Sequence, residues 1–97
     1  MAQRSCLDCF RKHIATANVF EDEAAISGAY PIHKWLAIGE LNAAAKEVSK
    51  EYPILANITR QHTLAYQDDN ARFPTVEILE LATNIEKDEE SEENFDI

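Results

Sequence analysis

The sequence predicts an all-α protein, a small up-and-down bundle of three to four helices with an acidic C-terminal tail. Three observations carry this expectation. Apolar residues recur at intervals of three and four along most of the chain, the spacing of one helix face. The three prolines, Pro31, Pro53 and Pro74, all fall where one periodic segment gives way to the next. No run alternates polar and apolar residues as a half-buried strand does. At 97 residues and 45% hydrophobic content, the chain has material for one core and no second.

The first segment runs from about Leu7, where Leu7, Phe10, Ile14 and Ala17 repeat at three and four, and continues through Phe20 and Ala24. It stops near Ser27 and Gly28, glycine being suited to a helix C-terminus. Pro31 suits the first turn of a second helix, because its missing N–H has no intrahelical acceptor there. Trp35, Ile38, Leu41, Ala45, Val48 and Tyr52 form the expected apolar stripe of that helix, which Pro53 ends. A third helix is expected from about Pro53 to Gln67, with Asp68, Asp69 and Asn70 as a turn. A short fourth follows, with Thr75 as N-cap and Ile78, Leu79, Leu81, Ala82 and Ile85 as its apolar face. Short connections between consecutive helices make antiparallel packing the natural arrangement.

The formal charge is −9, and six of those nine charges fall in residues 86 to 97. The reading is therefore a helical domain over residues 1–86 and an acidic tail over 87–97. Arg4, Arg11 and Lys12 are too few cations to hold a phosphate backbone against that balance, so nucleic acid is not an expected partner. No apolar run is long enough for a membrane span, and the N-terminus lacks the pattern of a secretory signal, which points to the cytoplasm. The tail ends Asn94-Phe95-Asp96-Ile97. Phe95 and Ile97 are the expected partner-binding residues, charge plus two apolar anchors being what a disordered segment needs to dock in a basic-rimmed groove. A solubilising run of charge is the competing explanation.

Ala37, Gly39, Ala43, Ala44 and Ala45 leave one side of the second helix nearly smooth. Tight packing on the first helix accounts for this, and a self-complementary dimer surface is the sharper alternative.

Cys6-Leu7-Asp8-Cys9-Phe10-Arg11-Lys12-His13 is the one chemically suggestive cluster, a CxxCxxxH arrangement. Two thiolates and an imidazole are ligands that zinc favours, and CxxC lets two sulfurs converge on one ion. Buried apolar thiols and a redox dithiol are the competing readings. For zinc, Cys6 has to lie in a turn preceding the helix, because seven residues of straight helix separate it from His13 by about 10.5 Å. His33 starts the second helix at the far end of the first, roughly 30 Å away. His62, on a third helix returning parallel to the first, completes the expected set of Cys6, Cys9, His13 and His62. His33 and Glu40, seven apart, suggest a polar pocket near Trp35, and solvent exposure explains them as well. No catalytic residues are assigned, since the chain shows neither a nucleophile elbow nor a glycine-rich phosphate loop.

Cys6 to Ile14, together with Tyr30-Pro31-Ile32-His33-Lys34-Trp35-Leu36-Ala37-Ile38-Gly39-Glu40-Leu41, resembles a group of small uncharacterised helical proteins of tailed bacteriophages. Its members share a CxxCxRKH start and a second helix of the type YPxHxxLAxGxLxxA. The resemblance covers about the first half of the chain and implies a location in an infected host cell without implying an activity. The function expected is that of a non-enzymatic, zinc-stabilised protein that binds a host or phage macromolecule as adaptor, regulator or inhibitor. A virion structural component, favoured by compactness and the scope for oligomerisation, is the alternative, and a thiol redox or metal-dependent enzyme the third.

Overall fold

Leu7, Phe10, Ile14 and Ala17, spaced three and four apart, are all buried, and they form the inner face of the first of four helices. A computed structural model describes the backbone of residues 2–27, 30–69 and 71–95 and the side chains of 6–26, 32–69 and 71–88. Helix α1 spans Ala2–Ser27, α2 Tyr30–Val48, α3 Pro53–Asp69 and α4 Thr75–Phe95. No strand occurs among the described residues, and no helix is long and apolar enough to cross a membrane.

The helices alternate in direction, and each packs on its neighbours in a ring. The α1–α2 interface is the most extensive, α3 packs on α2, and α4 returns to α1 while touching α3 only lightly. Cross-helix pairs fix the register: His13 meets Glu40, Lys34 sits over the Tyr66 ring, and Arg11 and Asn18 reach Glu86 and Thr75. The result is a rod of 55 × 19 × 19 Å. Its core joins Leu7, Phe10 and Ile14 of α1 to Leu41 and Val48 of α2, Leu55 and Tyr66 of α3, and Phe73, Ile78 and Ala82 around and on α4. Alanines at Ala17, Ala37 and Ala44 are buried, which permits the close approach of α1 and α2 expected from the small residues.

Pro53 and Pro74 mark helix starts, as their positions predict. Tyr52 accepts the Ala56 N–H at 3.0 Å, so it occupies the cap position and Pro53 the first helical one, where no N–H is needed. Pro74 accepts the Ile78 N–H at 3.0 Å and is itself the cap residue of α4. Thr75 therefore lies inside the helix, and its hydroxyl donates to Asn18 Oδ1 at 3.3 Å instead of capping. Two buried threonines of α3 are satisfied within the helix: Thr59 donates to the Leu55 carbonyl at 2.8 Å and Thr63 to the Thr59 carbonyl at 2.7 Å.

Three further expectations are corrected. Helix α1 begins at Ala2, well before Leu7, so Cys6 lies inside it. Helix α4 is 21 residues long and continues to Phe95, so residues 87–95 extend the fourth helix instead of forming an unstructured tail. Glutamate and lysine are good helix formers, which lets the run continue without an apolar face. Trp35 is 61% exposed, whereas Ile38, Leu41, Ala45 and Val48 of its expected stripe are buried. A step of 100° per residue carries Trp35 well around the helix from Leu41.

Gly39 is exposed, and a Cβ built on it meets nothing within 4 Å. Tight packing does not explain this glycine, which lies away from the buried Ala37–Ala44 row. Gly39→Ala is therefore expected to stabilise the protein by about 0.5–1 kcal/mol through helix propensity and a restricted unfolded chain. Urea midpoints of the two proteins check this; a less stable variant would mean that the glycine is needed for a close approach.

Candidate functional site

The cysteine and histidine cluster is built on a single continuous helix. Cys6 and Cys9 are free thiols, both half-buried, and Cys6 packs against the core. Because Cys6 is helical, the distance argument applies without relief: seven residues of rise hold Cys6 and His13 about 10.5 Å apart at the backbone. His13 Nδ1 lies 2.7 Å from Glu40 Oε1, tying α1 to α2 at a half-buried position. His62 is exposed on α3, its ring set edge-on to Phe73 with centroids 6.3 Å apart and planes at 81°. Among the described residues no group of three or more His, Cys, Asp or Glu side chains converges as a metal site requires. Cys6, Cys9, His13 and His62 are thus not brought together as one ligand set in this structure. Glu40 of the pocket suggested by His33 and Glu40 contacts His13 of α1 through Oε1.

Of the expected partner-binding residues, Phe95 closes the backbone of α4, and its side chain, like the whole of Ile97, lies outside the described residues.

Two features were not visible as site candidates in the sequence. The first is a polar clasp that holds the start of α4 on α1. Glu21 is only 7% exposed, accepts the Phe73 N–H at 3.1 Å and lies 3.6 Å from Arg72 Nε, while Arg72 also pairs with Asp22. Burial pushes the Glu21 carboxyl above its ordinary value of 4.5, and the Asp22 charge adds to that; the Phe73 N–H and the Arg72 charge oppose it. Farther along, Arg11 bridges Asp8 at 3.2 Å and Glu86 at 3.1 Å, a second tie between α1 and α4. These are structural contacts. In the sequence Glu21 stands among Asp22 and Glu23 and reads as part of a solvated acidic run.

The second feature is exposed apolar surface. Ile32, Trp35 and Leu36 are 67%, 61% and 45% exposed along the first turns of α2. The Lys34–Tyr66 pair, 5.1 Å from ammonium to ring centroid, sets α2 against α3 so that exposed Leu64 stands at about the level of Leu36. The apolar spacing of α2 was the available signal, but it could not separate the buried face from a second, outer one.

Comparison with protein families, with curated proteins and with solved structures finds no match to this chain.

Proposed function

We propose that the protein is a non-enzymatic binding module that engages a protein partner of host or phage origin through the outer face of α2. The observation that carries the reading is the exposure of Trp35 between Ile32 and Leu36. Large apolar side chains left in water cost about 1.5–3 kcal/mol each relative to burial, and tryptophan is among the residues most enriched at the energetic centres of interfaces. Contiguous apolar patches of more than a few hundred Å² are uncommon on surfaces that meet only water. The phage-type resemblance of Tyr30 to Leu41, the same stretch of helix, supports an infected cell as the setting. Zinc has no part in this reading, since the candidate ligands do not converge.

The test places a photo-crosslinking amino acid at position 35 and irradiates cells that express the protein. A discrete heterologous adduct is expected, lost when Leu36→Asp is added while the circular dichroism spectrum stays helical. No adduct, an adduct indifferent to Leu36→Asp, or an adduct of the chain with itself alone would refute the proposal.

A further inference from the structure

Because α4 touches α3 only lightly, an open apolar groove of about 370 Å³ lies between them at the end of the bundle that holds the α2–α3 connection. Ile54 and Ile58 of α3 form one wall, Leu81 and Ile85 of α4 the other, and Tyr52 and Leu55 also line it. Each wall is a pair of side chains four residues apart, one helical turn, so both ridges repeat at the spacing of a helix that would lie along them. Ile54 is 75% exposed.

Of the residues that line this groove, the one that carries a charge is an acid. Glu51 lines it, and no lysine or arginine does among the described residues. Glu77, Leu81, Ile85 and Asp88 follow one another on α4 at four, four and three residues, so exposed carboxylates stand in the helical row before and after the apolar wall. Lys87, the one cation in α4, lines a different hollow with Val76, Leu79 and Thr83, and Glu77 also borders a hollow beside Arg72 and Phe73. Beyond Asp88 the sequence of α4 continues with Glu89, Glu90, Glu92 and Glu93.

We infer that this groove takes a cationic amphipathic helix of a partner protein, its apolar face seated between Ile54/Ile58 and Leu81/Ile85 and its lysines or arginines on Glu51, Glu77 and Asp88. In helix-in-groove recognition the partner helix brings apolar anchors at i and i+3 or i+4, which the two apolar walls would receive, and the acidic rim selects the sign of its flanks. Other occupants fit less well. The stretch of α4 that follows Ile85 leads away from the groove, being still helical at Phe95, ten residues and about 15 Å farther on. A second copy would bring another net charge of −9 against the acidic rim. The inference uses residues separate from the α2 face, so either reading can fail alone.

The experiment titrates the full chain into a fluorescent amphipathic peptide of leucine and lysine, with two controls: the same composition in scrambled order, and an amphipathic peptide of leucine and glutamate. Binding of the first alone is expected. Ile54→Asp, an exposed site in the first turn of α3 that tolerates an acid, should weaken binding about tenfold with unchanged helicity. Glu77→Lys with Asp88→Lys should weaken it similarly, and peptide-induced methyl shifts should appear at Ile54, Ile58, Leu81 and Ile85 and not at Leu36 or Leu64. Absence of binding, equal binding of the scrambled peptide, indifference to Ile54→Asp, or an apolar dye held in the groove that the peptide fails to displace would each overturn the inference. Trp35→Asp should leave peptide binding intact, which separates this groove from the α2 face.

Discussion

Phe10→Ala is expected to cost about 3–5 kcal/mol, because it removes a fully buried ring and leaves a cavity that the surrounding helices fill only in part. Phe10 lies on α1 at the centre of a core to which all four helices contribute, so no single neighbour can relax into the space. A chain of 97 residues has about 5–15 kcal/mol of total stability, so one substitution removes a large share of it. The melting temperature should fall by about 15–30 °C. Urea unfolding followed by circular dichroism measures this. Val19→Ala, on the same helix but 57% exposed, serves as the comparison and should change stability by less than about 0.5 kcal/mol. A Phe10 variant as stable as the Val19 one would mean that the core is not centred on α1.

Glu21→Ala should cost about 1–3 kcal/mol, since it leaves the Phe73 N–H without its acceptor in a buried position and takes one carboxylate from Arg72. Glu21→Gln keeps an acceptor for Phe73 and removes only the charge. The carboxyl is held above 4.5 in the folded protein by burial, so the fold binds its proton more tightly than the unfolded chain does. Protonation therefore favours the fold: stability associated with Glu21 is present below 4.5 and is lost as the pH rises through the raised folded value. At pH 7 the Gln variant should be at least as stable as the parent, and the parent should gain on it as the pH is lowered toward the ordinary carboxylate range. Urea midpoints of both proteins across that interval decide the matter. A parent that loses ground to the Gln variant on acidification would show that the Phe73 N–H and Arg72 outweigh burial.

The parts of the fold that were legible in the sequence are those where a local rule and the tertiary packing agree. Pro53 and Pro74 stand at the starts of α3 and α4, and the spacing of Leu7, Phe10, Ile14 and Ala17 does single out the buried face of α1. Both helix ends that were misplaced lack an apolar face. Ala2 to Ser5 and Lys87 to Phe95 are helical by continuation of the backbone ladder and by propensity, to which hydrophobic periodicity is blind. That one difference at Ala2 also keeps Cys6 and His13 apart, because a turn at Cys6 was the condition for the two to share an ion. On α2 apolar residues cover more than one face, so the period gave a helix but not its orientation, and Trp35 was assigned inward. Glu21 was missed for the opposite reason. An acid is buried here because Phe73, 52 residues away, supplies the N–H that makes burial tolerable, and no local pattern contains that pairing.

The light α3–α4 contact has a consequence for how the molecule opens. Helices α1, α2 and α3 are joined as consecutive hairpins, whereas the ties of α4 to α1 span 52 residues at Glu21–Phe73 and 75 at Arg11–Glu86. The entropy of closing those long loops is recovered only when α4 docks, so α4 is expected to add last and detach first, as a sub-global opening below the cost of full unfolding that amide hydrogen exchange would read. The groove between Ile54/Ile58 and Leu81/Ile85 exists only while α4 is docked. Any molecule seated there binds the closed form alone and so acts as a clamp on the fourth helix, adding its own binding free energy to the stability of closure.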